Sequence, residues 1–131
     1  GESSTPLFGG NSNWRGPVWM PLNYLFIQSF KEYYSYCGDN LKFAFPTGSD
    51  NLLDLNQISD EISKRLIAIF DKNTSGNRAV HALHEQKYRD PNFENLILFY
   101  EYFHGDSGRG VGASHQTGWT ALVANLINEI K

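Results

Sequence analysis

The helical stretches of this 131-residue chain are separated by long runs with no helical period, and that constrains the fold more than any other feature. Residues 5–13, 39–56, 71–92 and 105–112 either concentrate Gly, Ser, Asn, Asp and Pro, the residues that interrupt helices and build turns, or mix them with short apolar patches. Loops of that length are uncommon in compact domains unless they build a site. What remains is three or four helices, too few to wrap a core of their own around so much loop. The pattern therefore points to an all-α segment of a larger structure, with residues 1–131 as one piece of a single domain. Gly1-Glu2-Ser3-Ser4-Thr5-Pro6 has neither a signal nor a transit pattern and reads as the interior of a longer chain.

The helices are legible from spacing. Trp19, Leu22, Phe26, Phe30 and Tyr33 recur at three- and four-residue steps, predicting a helix from Pro17 to about Cys37 that ends at Gly38-Asp39-Asn40. Ile58, Ile62, Leu66, Ile69 and Phe70 predict a second over Ser59–Phe70, with Asp54 or Ser59 as its cap. Trp119, Leu122, Val123, Leu126, Ile127 and Ile130 predict a third, capped by Thr117. Phe93–Phe103 is apolar but short enough for either a strand or a buried helix. Residues 39–56 and 71–92 read as irregular.

Composition narrows the function classes. Hydrophobic residues make up 40% of the chain, enough for a core and too many for a disordered segment. The net charge of −3, with Lys and Arg scattered, leaves no basic stripe to displace counterions from a nucleic acid. No apolar run reaches the roughly 18 residues of a membrane span. The four histidines form no helical i, i+4 pair and have no cysteine set beside them, so no metal site is expected. The alternating glycines at 108–112 lack the strand and acidic residue of a dinucleotide fold, so no cofactor is expected. The single Cys37 and the absent leader lean toward a cytoplasmic protein. Asn73-Thr74-Ser75 matches a glycosylation acceptor, and the secretory pathway stays open.

Three segments combine indoles, glycines and hydrogen-bonding side chains. In Asn11–Trp19, Trp14 and Trp19 flank Arg15. Indole faces suit the C–H side of a sugar, and a guanidinium donates to hydroxyls in a fork. The commoner arrangement is two core indoles and an Arg15 paired to a carboxylate. In Leu96–Phe103, Glu101 stands among aromatics and must be paired, hydrogen-bonded or facing a cavity. Asp106 is a rival carboxylate in the turn sequence Gly105-Asp106-Ser107-Gly108. In Gly108–Trp119, His115 and Gln116 can bond sugar hydroxyls or simply tie down the loop.

Asn13-Trp14-Arg15-Gly16-Pro17-Val18-Trp19-Met20-Pro21-Leu22-Asn23-Tyr24 resembles a motif of glycoside hydrolase family 63, whose relatives include mannosylglycerate-hydrolase-like bacterial and fungal glucosidases. The tail, Leu98 to Gly108 and Gly112 to Thr120, resembles the end of that family's catalytic domain. Lys87-Tyr88-Arg89-Asp90-Pro91 lies where those relatives carry a Lys-aromatic segment before Asp-Pro. Residues 39–80 carry no resemblance.

The resemblance implies a partial (α/α)6 barrel, the C-terminal helices of a six-hairpin toroid with long active-site loops. It implies an inverting α-glycosidase acting on an oligosaccharide or small glycoside. Glu101 falls at the general-base position, and Trp14, Arg15, Trp19, His115, Gln116 and Trp119 would wall the sugar pocket. The general acid is an Asp far upstream that no residue here matches. Inversion needs both carboxyls, about 6.5–9.5 Å apart with a water between. Alone, this chain should be catalytically silent, with the upstream remainder of the domain as its necessary partner. The alternatives are a barrel segment that binds a carbohydrate or metabolite without hydrolysis, or a scaffold whose indoles are only core.

Overall fold

The computed structural model describes residues 4, 5, 7, 14 and 16–130. Helix α1, Met20–Cys37, begins three residues later than the spacing predicts. Trp19 is its extended N-cap residue and Pro21 sits in the first turn, where a missing N–H costs no hydrogen bond. Gly38, at φ +68, stops it, a left-handed conformation that glycine adopts without penalty.

The face of α1 turned inward carries Met20 and Ile27, with Tyr24 packed beside them. The predicted stripe lies largely elsewhere: Phe26 is 58% and Tyr33 63% exposed, and Leu25 and Tyr36 are exposed as well. This helix is apolar on two sides, so its period could not tell which side meets the core.

Residues 39–56 hold a hairpin and the start of the next helix. Strands β1, Lys42–Ala44, and β2, Leu52–Asp54, pair antiparallel with Phe43 opposite Leu53. Asp54 then caps helix α2, Leu55–Ala68. Its carboxylate accepts from Gln57 N at 2.8 Å, and the Gln57 side chain accepts from Asp54 N at 3.0 Å. This capping box starts the helix four residues before Ser59. Ser59 and Ser63 are fully buried on α2, and each hydroxyl donates to a backbone carbonyl of its own helix. The two small side chains can therefore be buried without an unpaired hydroxyl.

The stretch 71–92 contains two short 3-10 segments, Ala79–His84 and Lys87–Arg89. Strands β3, Tyr102–Phe103, and β4, Gly110–Val111, form a second antiparallel ribbon. Phe103 also exchanges backbone hydrogen bonds with Val18, at 2.8 and 2.9 Å, which joins the ribbon to the entrance of α1. Helices α3, Thr117–Thr120, and α4, Leu122–Glu129, close the described chain. Gln116, not Thr117, is the N-cap residue of α3.

The core gathers Met20, Ile27, Leu66, Ile69, Phe70, Val80, Phe103, Val123 and Leu126. Each such side chain contributes roughly 1.5–3 kcal/mol by leaving water. At the surface Glu129 ties α4 to α1: Lys31 Nζ lies 2.6 Å away, with Gln28 and Tyr24 also donating. Lys31 foremost holds the Glu129 carboxyl below its ordinary pKa.

The all-α expectation of a partial (α/α)6 barrel is therefore overturned. The described residues form a small mixed α/β arrangement, with α-helices and two short antiparallel ribbons. The physical reason is local. Segments 42–54 and 102–111 are folded back by turn residues, and their backbone groups are satisfied across a ladder instead of along a helix. Among the described residues no helix is long and apolar enough to cross a membrane.

Candidate functional site

The β3–β4 ribbon decides where Glu101 sits. Glu101 N donates to Ala113 O at 2.8 Å, and Ala113 N donates back to the Glu101 carboxylate, Oε2, at 3.2 Å. The carboxylate thus lies along the strand end leaving β4, half-buried, held by a charge-assisted bond. Between the partners stands Gly112 at φ +75. A Cβ there would lie 2.6 Å from Oε2 and 2.8 Å from Tyr102 Cε1, so this close approach requires glycine. Gly110 serves the same purpose one step earlier, where the Tyr100 ring occupies the space of a side chain. The alternating glycines are there to let Tyr100 and Glu101 lie flat against the ribbon.

Next to this carboxylate is an aromatic stack. Trp19 lies between Trp14, 5.1 Å away at 16°, and Tyr102, 4.5 Å away at 22°. Trp119 meets Trp19 edge-on at 6.0 Å. Offset contacts of this kind contribute about 0.5–1.5 kcal/mol each beyond burial. Trp19 is only 4% exposed, whereas Trp14 is 49% exposed. Trp19 Nε1 is buried and has no hydrogen-bond partner among the described residues.

The fold thus groups Glu101, Trp14, Trp19 and Trp119, four of the residues singled out from the sequence. His115 and Gln116 occupy the loop leading from Ala113 to α3. His115 is exposed and pairs with Phe99 through a parallel bridge, and Gln116 N donates to Phe99 O at 2.8 Å. Arg15 lies outside the described residues. Tyr102 and Gly112 were missed. Their signal was a run of bulky residues, Tyr100 to Phe103, followed by a segment with alternating glycines, Gly108, Gly110 and Gly112, that can fold back against it. The rival Asp106 is exposed in the turn of the ribbon, where its own N–H donates to His104 Nδ1 at 3.3 Å.

A second polar cluster lies on residues 78–88, whose 3-10 segment Ala79–His84 packs against β4. His81 is buried and stacks on Tyr88 at 3.6 Å and 11°. Burial first, then the charges of Arg78 and His84, push its pKa down to about 4. Among the described residues, no group of three or more His, Cys, Asp and Glu could hold a metal ion.

Residues 7–64 match the family model of the glycosyl hydrolase family 63 C-terminal domain. Over 99% of its length the chain is 45% identical to an uncharacterized protein of Saccharomyces cerevisiae. Over 92% it is 34% identical to the mannosyl-oligosaccharide glucosidase of the same yeast, and over 92% it is 25% identical to a probable mannosyl-oligosaccharide glucosidase of Schizosaccharomyces pombe. The chain spans only 12%, 11% and 11% of the length of these three relatives. Glu101 lies beyond the family-model match but inside any contiguous match covering 92% of the chain. No solved structure matches this chain.

Proposed function

The chain belongs to glycosyl hydrolase family 63, as part of its C-terminal domain, and from that premise we propose that it supplies the base side of an inverting α-glucosidase. Glu101 is the general base. It takes a proton from a water that attacks the anomeric carbon from the face opposite the leaving oxygen. The acid that protonates the leaving oxygen comes from the remainder of a longer polypeptide, of which this chain is a small share. The substrate is an oligosaccharide ending in an α-linked glucose, a class suggested by the glucosidases among its relatives.

One observation carries this reading: a half-buried carboxylate, held by Ala113 N–H, next to a stack of aromatic rings whose outermost member, Trp14, is half exposed. A half-exposed indole backed by a second ring is suited to receive a sugar face. Among the described residues Glu101 takes no part in an ion pair, and its carboxylate accepts from Ala113 N–H. The exposure of Trp14 also argues against the indoles being only core.

The test is Glu101→Gln in the full-length protein. Loss of a general base costs about 10²–10⁴ in rate. We expect kcat toward an α-glucoside to fall by at least about 10² with the thermal melt unchanged. Turnover within about tenfold of wild type overturns the base assignment.

A further inference from the structure

We infer that Trp119 and Thr120 are positioning residues that fix Glu101 through its backbone, and that Trp119 is not a hydrogen-bonding wall of the sugar pocket. The inference rests on Glu101 acting as the base. Trp119 Nε1 donates to the carbonyl of Glu101 at 2.9 Å, and Thr120 Oγ1 donates to the carbonyl of Tyr100 at 2.5 Å. An indole has one donor and no acceptor. With that donor given to the main chain, Trp119 has none left for a sugar hydroxyl.

The peptide between Tyr100 and Glu101 is gripped at both polar ends. Its carbonyl accepts from Thr120, and its N–H donates to Ala113 O at 2.8 Å. The next carbonyl along is held by Trp119. β3 begins only at Tyr102, so no strand is there to take these two carbonyls. Two consecutive side chains of α3 take the place of a strand.

The clamp has firm footings. Thr120 is fully buried, and its N–H donates to Gln116 O at 3.2 Å, so the hydroxyl is presented by a closed turn. Trp119 is braced edge-on by Trp19, which caps α1. The base is thereby tied at one time to α3, to α1 and to the strand end leaving β4. Its carboxylate then needs only the single bond from Ala113 to be aimed.

Catalytic geometry is steep in distance: a shift of about 1 Å can cost about 10² in rate. Removing either clamp bond frees the Glu101 peptide by a fraction of that distance. The loss should then fall on kcat and not on KM.

The experiment uses the full-length protein with α-glucosyl fluoride as probe, whose leaving group asks little of the acid. Trp119→Phe keeps the ring contact and deletes the donor. Thr120→Val keeps the shape and deletes the hydroxyl, and Thr120→Ser restores it. We expect Trp119→Phe and Thr120→Val to lower kcat about tenfold with KM within about twofold, and Thr120→Ser to stay near wild type. Backbone amide exchange at Glu101 should quicken in the two impaired variants. A raised KM with unchanged kcat in Trp119→Phe, or wild-type kcat and exchange in both impaired variants, overturns the inference. Should Trp119→Phe fail to fold, the Thr120→Val and Thr120→Ser pair decides alone. Glu101→Gln, assayed alongside, separates the two failures. If it stays active, the base reading falls; if it is inactive while the clamp variants are not, the clamp falls.

Discussion

Replacing Gly112 by Ala should damage catalysis more than stability, and the structure sets both magnitudes. The new Cβ would stand 2.6 Å from Glu101 Oε2, 2.8 Å from Tyr102 Cε1 and 3.0 Å from Glu101 Cβ. Ordinary carbon contacts lie at roughly 3.5–4.0 Å, so the carboxylate must retreat by roughly 1 Å. A displacement of that size is expected to lower kcat by about 10². The φ of +75 adds about 1–2 kcal/mol of backbone strain for any residue with a Cβ. Gly48→Ala separates the two effects. It carries the same strain, at φ +84, in the β1–β2 turn, but its Cβ would meet nothing within 4 Å. Gly48→Ala should therefore lose stability from the backbone strain alone and Gly112→Ala at least as much in a thermal melt, while only Gly112→Ala loses turnover of α-glucosyl fluoride. A Gly112→Ala enzyme with kcat within about threefold of wild type would refute the reasoning.

Further outcomes follow from the aromatic stack and from the second polar cluster. Trp14→Ala removes the exposed ring of the stack; a sugar face packed on that ring would lose a contact of about 0.5–1.5 kcal/mol, raising KM roughly two- to tenfold with little change in kcat, and an unchanged KM would place the sugar elsewhere. For His81, the fold holds the pKa at about 4 against an ordinary 6.5, so the neutral ring is favoured when folded. The unfolded chain gains its proton below pH 6.5 and the folded chain only near 4. Stability is thus full above 6.5 and declines as pH falls toward 4, by at most about 3 kcal/mol. Hydrogen exchange at the imidazole C2 should titrate near pH 4 for His81; a midpoint near 6.5 contradicts the buried, stacked ring.

What was legible in the sequence depended on how local the cause was. Gly38 ends α1 through a bond to a residue four positions back and could be read directly. Spacing left Asp54 and Ser59 both open as the cap of α2, and the reciprocal Asp54–Gln57 bonds select Asp54. The last apolar stripe delivered Val123 and Leu126 to the core as its period implied. The stripe on α1 misled because Met20, Tyr24 and Ile27 form a competing apolar side, and only the packing of α2, α4 and Phe103 selects it. The ribbons escaped notice because strands of two and three residues are too short for a period of two to show. That omission turned a mixed fold into an expected all-α barrel. At the site, motif resemblance pointed to Glu101 and the indoles together. The bond from Trp119 to the Glu101 carbonyl joins residues 18 positions apart and depends on the loop between them. No spacing rule reports such a contact.

Chemical rescue tests the role of Glu101 most directly. Glu101→Ala in the full-length protein should hydrolyse α-glucosyl fluoride poorly, since no group remains to take the proton from water. Azide needs no such help. Seated in the space left by the carboxylate, it would bond to the anomeric carbon as fluoride departs. The account predicts that added azide restores turnover and yields β-glucosyl azide, the inverted product. Turnover that azide does not restore, or an α-glucosyl azide, would contradict Glu101 as the base of an inverting reaction.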